Sequence, residues 1–332
     1  MKKTSKIVLS GIQPTGELHV GNYLGSIINF IKLQERYQCF FFIADLHSLT
    51  EPFDPKEKRK QIFNLALDFL ALGLDPLKCT IFIQSQIPAH SELAWIFNCL
   101  TPISWLKRMT QFKEKSKTQK ENINTGLFTY PVLQAADILI YKANLVPVGK
   151  DQLQHLEFTR DIARVFNRLF GKTFPEPQPI LTETPKIMSL LSPEKKMSKS
   201  LGEGHWIGIG DSPSTIYKKI KAAVTDIGPL KPGSSKKSAG VANLFLLLKY
   251  FGSKEDYLYF EESYKKGTIR YIQLKEVLAK SIANYFKPFR EKRKELLKKK
   301  KYVLDVLEEG RKKAMKVANQ TLSEVKKKIG LV

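Results

Sequence analysis

The chain alternates short apolar runs with longer stretches of helical spacing. Lys6-Ile7-Val8-Leu9-Ser10 and Cys39-Phe40-Phe41-Phe42-Ile43-Ala44 read as buried strands, the second ended by Asp45, and residues 80–84 as a third. Residues 21–36 and 55–73 read as the helices between them. In the second of these, Ile62, Ala66, Phe69 and Leu70 share one face, Pro55 stands near the start and Gly73 marks the stop. Another helix follows from Ser91. Strands alternating with helices of this length predict βαβ units and a parallel sheet, an α/β fold whose ligand site lies at the carboxyl ends of the strands. Gly11-Ile12-Gln13, Asp45-Leu46-His47 and Gln84-Ser85-Gln86 fall there.

Residues 105–185 read as an insertion with helices of its own, one over 130–141 and one over 151–170. In the latter, Phe158, Ile162, Val165, Phe166 and Leu169 form the apolar stripe, and Pro175, Pro177, Pro179 and Pro185 then mark an irregular connection. After Ser200 the chain is Gly-rich to Gly210, which predicts a flexible loop. Ser212-Pro213 opens a new helix, Ser as cap and Pro in the first turn. From there the composition shifts to Lys-rich amphipathic helices. Residues 228–238 read as a loop, Gly252, Gly267 and Gly310 as breaks, and Leu304, Leu307, Val317, Ala318, Leu322 and Val325 as the last apolar stripes. The lysine run at 298–301 is a solvated face.

Length and charge bound the function. The 332 residues are 42% hydrophobic, enough for a large core and two domains, yet no apolar run is long enough to span a bilayer. The basic start is too short for a secretory signal, so the chain is expected to be cytoplasmic with no membrane partner. Cys39, Cys79 and Cys99 have no metal-ligand spacing and read as reduced packing residues. Lys and Arg number 55 against 32 acids, a net of +23 that favours a polyanionic partner, although a uniformly basic proteome is the competing explanation.

Two segments carry the chemistry. Ser10-Gly11-Ile12-Gln13-Pro14-Thr15-Gly16 is a Gly-punctuated turn leading into a helix at Gly21-Asn22, whose free N–H groups and positive dipole end suit a triphosphate, with His19 as an imidazole donor. Lys196-Met197-Ser198-Lys199-Ser200 lies far downstream. Its two ammonium groups suit the charge that develops on a departing pyrophosphate. Alone, the first reads as a common strand–helix turn and the second as a charged surface turn. Together they point to an enzyme that adenylates an amino acid.

The paired segments resemble the two signatures of class I aminoacyl-tRNA synthetases. His19-Val20-Gly21-Asn22 stands where that family has His-x-Gly-His, and the Asn variant resembles its tryptophan-specific branch of bacterial and mitochondrial type. So do Tyr130-Pro131-Val132-Leu133-Gln134-Ala135-Ala136-Asp137-Ile138-Leu139, Val146-Pro147-Val148-Gly149-Lys150-Asp151-Gln152, the segment 109–116 and Lys221-Ala222-Ala223-Val224-Thr225-Asp226, so the match spans nearly the whole chain. The resemblance implies a Rossmann-like, doubly wound parallel sheet in residues 1–206, with the helical insertion at about 105–185. It further implies an all-α anticodon-binding domain at 207–290 and C-terminal helices at 291–332 packing back on the catalytic domain.

It also implies site roles. Asp137 accepts the indole N–H, a donor that needs a partner once buried. Tyr130 and Gln134 share its helical face, and Gln13, Tyr130 and Gln152 hold the ammonium and carboxylate of tryptophan while His47 lines the pocket. ATP is met by Gln13, Pro14, Thr15, Gly21, Asn22, Gly149, Lys150, Asp151, Ile187, Lys196, Met197, Ser198, Lys199 and Ser200. Within that set Ile187 and Met197 pack on adenine or serve as core, and Asp151 also suits a helix cap. Lys115, Lys196, Lys199 and His19 are the catalytic set. Mg²⁺ comes with ATP as substrate, no metal is held by the protein itself, tRNA(Trp) is the second substrate, and the family is dimeric. Three positions depart from common bacterial patterns: Lys150 for Glu, Leu46 for Gln and Gln134 for Met. The tail Leu201-Gly202-Glu203-Gly204 also lacks an Asp that often follows. A tyrosine-specific synthetase and a synthetase-derived binding protein without charging activity are the competing functions. The Gly21-Asn22 ending speaks against the first, and the full set Gln13, His19, Asp137, Lys196 and Lys199 against the second.

Overall fold

The computed structural model describes residues 5–110, 123–149, 152–181, 185–225 and 237–331. Lys115, Lys150, Asp151 and Asp226 lie outside the described residues, as does most of the segment 109–116. The chain forms two compact units. The first comprises Met1–Gly16, Ile28–Glu183 and Leu296–Val332; the second comprises Glu17–Ile27 and Thr184–Glu295.

The first unit is built on five parallel strands, β1 (Ile7–Ile12), β2 (Gln38–Ile43), β3 (Cys79–Ile83), β4 (Leu145–Val148) and β5 (Gln178–Leu181), in the order β3-β2-β1-β4-β5. Chain order therefore runs outward from β1 to one side and then returns to build β4 and β5 on the other, which makes the β1/β4 junction the topological switch point. Pairing is in register from Ile7 opposite Gln38 to Ile12 opposite Ile43. β4 and β5 arise within the stretch read as an insertion, β4 between its two helices and β5 in the proline-marked irregular connection. They are four residues each, and each carries a proline (Pro147 and Pro179), so neither shows the apolar alternation of a longer strand.

Helices Pro55–Ala71, Ala89–Leu100, Thr125–Ile140 and Leu153–Phe170 belong to this unit. Asp54 caps the first by accepting from the Lys56 and Glu57 N–H groups, and Gly73 ends it at φ 106°. Phe40, Phe82, Phe97, Val132, Leu139 and Phe166 share one core. Leu169 and Leu304, read as members of apolar stripes, are 55% and 54% exposed. Cys39 and Cys79 face each other in register and are buried, whereas Cys99 is exposed rather than packed.

Gly310 does not break a helix. It lies inside the 29-residue helix Lys300–Lys328, where a Cβ would fall 1.7 Å from the Ile81 carbonyl oxygen of β3. Glycine is there because a backbone passes over it, and the cost of weaker helix propensity is offset by close packing. Gly310→Ala should lower stability by about 3 kcal/mol, an overpacking penalty with backbone as the unyielding partner. A urea midpoint equal to that of the unmodified chain would show that the helix is not held there.

The second unit is helical apart from its connecting segments. Pro213–Ala222, Ala239–Phe251, Lys254–Lys265 and Tyr271–Tyr285 pack on one another, the last against the first two. Ser212, Ser238 and Ser253 cap the first three, Ser212 by accepting from the Thr215 N–H with Pro213 in the first turn. Asn243 pins the connection from the sheet unit's end by bonding both the N–H and the carbonyl of Met188. Among the described residues, no helix is long and apolar enough to cross a membrane.

Candidate functional site

Asp137 is the centre of the first unit's site. It is 1% exposed, on the helix Thr125–Ile140, and three side chains donate to its carboxylate. His47 Nε2 reaches Oδ2 at 2.7 Å, His90 Nδ1 reaches Oδ1 at 2.6 Å, and Gln84 Nε2 forks to both oxygens at 2.8 and 2.9 Å. Each donor comes from the carboxyl end of a strand or just beyond it: His47 after β2, Gln84 directly after β3, His90 at the start of the next helix. Burial alone would push the Asp137 carboxyl upward, but His47 and then His90 bring it below the ordinary carboxylate value. It is thus a buried anion that can only accept. His47 also lines a cavity of about 280 Å³ with Leu46, Ala94, Trp95, Tyr130 and Leu133.

Tyr130 lies in the same wall, its ring 6.3 Å from that of His47 and its hydroxyl 2.7 Å from His155 Nε2. Burial pushes its phenol up to about 12, so it is a neutral hydroxyl at working pH. Gln134 is half-buried on the same helix. The half-buried Gln13 follows β1, its carbonyl accepting from the Thr15 N–H at 2.9 Å; Pro14 beside it is buried and Thr15 exposed. Gly149 follows β4 and accepts from the Gln152 N–H at 3.0 Å. The first unit therefore brings His47, Tyr130 and Asp137 together and carries Gln13, Gly149 and Gln152 at strand ends.

The second unit gathers the signature residues. Residues 207–209 are not a loose loop. The Val20 N–H donates to the Ile207 carbonyl and the Ile209 N–H to the Leu18 carbonyl, while Ile207 and Ile209 are buried. This clamps the segment after Ser200 to the helix start. Lys199 Nζ donates to the Glu17 carbonyl at 3.1 Å, and Ser198 Oγ accepts from the Ser200 N–H. Lys196 is exposed at an antiparallel bridge with Met188. Ile187 and Met197 are buried core residues, joined by a Met197 N–H to Ile187 carbonyl bond.

The helix start is not an open set of N–H groups. His19 Nδ1 accepts from the Gly21 and Asn22 N–H groups at 3.0 and 3.3 Å, and Asn22 Oδ1 accepts from the His19 N–H at 3.1 Å, a reciprocal cap. Gly21 is required because a Cβ would press on the His19 ring at 2.8 Å. With Nδ1 accepting, the ring proton is on Nε2, which leaves His19 a neutral donor. Burial first, then the charges of Lys199 and Lys196, lower its pKa from 6.5 to about 4. A depressed histidine stabilises the fold fully above its unfolded value and loses that contribution as pH falls from 6.5 toward 4. His19→Asn keeps a capping acceptor that does not titrate. The stability gap between the two proteins in urea should therefore narrow between pH 7.5 and pH 5, and a constant gap would contradict this environment for His19.

His90 and Tyr141 were not marked by the sequence pattern. His90 stands just ahead of the helix read from Ser91, which starts at Ala89, and no spacing links it to Asp137, 47 positions away. Gln84 at the end of β3 carried a positional signal, as a residue at a strand's carboxyl end.

Known proteins resemble the chain throughout. Residues 1–287 match the family model described as tRNA synthetases class I (W and Y). The chain is 46% identical over 329 residues to the tryptophan–tRNA ligase of Caldanaerobacter subterraneus subsp. tengcongensis, covering 98% of this chain and 99% of that one. It is 47% identical over 335 residues to that of Rickettsia typhi, covering all of both. Among solved structures, tryptophanyl-tRNA synthetase from Campylobacter jejuni, complexed with ADP and tryptophan, superposes with a TM-score of 0.85 at 36% identity, covering 98% of this chain and 100% of that one.

Proposed function

The chain belongs to the class I tRNA synthetases of the tryptophan and tyrosine family and ligates tryptophan to tRNA, and we propose that Asp137 selects the amino acid while the two signature segments handle the triphosphate. Tryptophan and ATP give tryptophanyl-adenylate and pyrophosphate, and the tryptophanyl group then passes to the 3′ end of tRNA(Trp). The observation that carries the site reading is the buried Asp137 anion bonded to His47, which lines a largely apolar cavity, an acceptor with no role in a water-filled phosphate site.

In this reading the indole N–H joins the donors on Asp137, beside His47. A side chain without an N–H forgoes that bond, and a smaller one also underfills the cavity. Together these cost a competitor roughly 3 to 5 kcal/mol, enough to make a separate editing site unnecessary. Tyr130, Gln13 and Gln152 orient the ammonium and carboxylate so that a carboxylate oxygen attacks the α-phosphate in line. Gln13, Pro14, Thr15, Gly21, Asn22, Gly149, Lys150, Asp151, Ile187, Met197, Ser198 and Ser200 are the further residues that meet ATP.

No covalent enzyme nucleophile takes part, so catalysis is positioning and electrostatics. His19, as a neutral Nε2–H donor, and the ammonium groups of Lys196 and Lys199, with Lys115, stabilise the charge that builds on the leaving pyrophosphate. Mg²⁺ comes with ATP as substrate, where it would offset phosphate charge. The Lys-rich helices at 207–290 read the anticodon, and the protein works as a cytoplasmic homodimer. Pyrophosphate exchange with tryptophan, tyrosine and phenylalanine tests the assignment. Exchange should depend on tryptophan, and stimulation by tyrosine in its place would reverse it.

A further inference from the structure

We propose that His90, braced by Tyr141, is a positioning residue that aims the Asp137 carboxylate at the indole N–H and thereby sets selectivity for tryptophan. This rests on the reading of Asp137 as the indole acceptor.

His90 is fully buried, and both of its ring nitrogens are engaged. Nδ1 lies 2.6 Å from Asp137 Oδ1, and Nε2 lies 2.8 Å from the Tyr141 hydroxyl. Asp137 is an anion, so Nδ1 must carry the proton. Burial first, then the charge of Asp137, hold the Tyr141 phenol well above its usual value, so that hydroxyl keeps its proton and donates it to Nε2. The tautomer is therefore fixed from behind. Rotating the ring would break both bonds in a place where no water replaces them, so the direction of Oδ1 is fixed as well.

The other donors do not provide this. Gln84 Nε2 straddles both carboxylate oxygens, which restrains the group without choosing between them. His47 lines the cavity and bonds the other carboxylate oxygen, Oδ2. His90 does not line the cavity, so it acts on substrate through Asp137 alone. A filler histidine is the alternative, because its ring also packs near Phe42, Phe82 and Tyr141 at centroid distances of 6.2, 6.1 and 5.4 Å. A filler would affect every substrate equally.

The experiment compares kcat/KM in pyrophosphate exchange for tryptophan and for β-(3-benzothienyl)alanine, which has sulfur in place of the indole N–H. The full chain is used unmodified and as His90→Leu, His90→Asn, Tyr141→Phe and Asp137→Ala. His90→Leu should cut the tryptophan-to-analogue ratio by about 10-fold or more, the loss of one charge-assisted hydrogen bond. His90→Asn, whose amide N–H stands near the Nδ1 position, should recover most of it. Tyr141→Phe removes a single hydroxyl and should lower the ratio by roughly 3-fold; it decides the matter if His90→Leu does not fold. A parallel fall for both substrates, or an unchanged ratio, makes His90 a packing residue and overturns the proposal. If Asp137→Ala leaves the ratio unchanged, the indole-acceptor reading fails and this inference with it. If Asp137→Ala lowers the ratio and the His90 and Tyr141 variants do not, this inference fails alone.

Discussion

Asp137→Ala is expected to lower kcat/KM for tryptophan by about 100-fold or more, the largest effect of any single change in the amino-acid pocket. Two losses combine. The indole N–H enters a buried position with no acceptor, and His47, His90 and Gln84 lose the anion they share. Stranded donors in a dry site cost about 1 to 3 kcal/mol each, so the variant should also unfold at lower urea. The two effects separate with the thia analogue. Its exchange rate should follow the smaller loss of site order, while that of tryptophan falls further. Equal losses for both substrates would mean that Asp137 holds the fold and does not read the indole.

The second large effect belongs to the other unit. Lys199→Ala should slow adenylate formation by about 100- to 1,000-fold, the scale for removing one preorganised donor from a developing oxyanion. Tryptophan binding measured by equilibrium titration should hardly move, because the indole pocket is assembled from residues of the first unit. That split between rate and affinity is what transition-state stabilisation requires, since an interaction made equally with bound substrate would appear in KM. A matched loss of tryptophan affinity would show that Lys199 acts before the chemical step. The Lys199 bond to the Glu17 carbonyl gives the side chain a defined place near His19, whose pKa is lowered first by burial and then by the charges of Lys199 and Lys196.

Much of this was legible in the chain. Strands β1, β2 and β3 followed from apolar runs flanked by turn residues, and the helix from Pro213 followed from its Ser-Pro start. β4 and β5 did not, because four-residue strands containing proline are defined by their neighbours in the sheet and not by their own pattern. Gly310 looked like a breaker because glycine weakens a helix locally; the reason it is tolerated is a strand some two hundred positions away. The site shows the same divide. His19, Gly21 and Asn22 belong to one short motif, and their proximity to one another is written in their spacing. The surroundings of Asp137 are not, because His47 follows β2 while Gln84 and His90 follow β3, and they converge on it only when the sheet forms. The segment after Ser200 read as flexible from its glycines, but backbone bonds from Val20 to Ile207 and from Ile209 to Leu18, either side of the His19–Gly208 bridge, override composition.

The seating of Gly310 on β3 bears on how the protein is made. β3 is the outer strand of the sheet, and the helix that covers its backbone, Lys300–Lys328, is encoded far downstream of it. On a ribosome adding about 5 to 20 residues per second, the nascent sheet waits roughly ten seconds or longer with that border uncovered. An open strand border is a template for pairing with other chains. Chaperone occupancy should therefore peak before that helix emerges, and a messenger cut short ahead of it should yield aggregate instead of a smaller working catalyst.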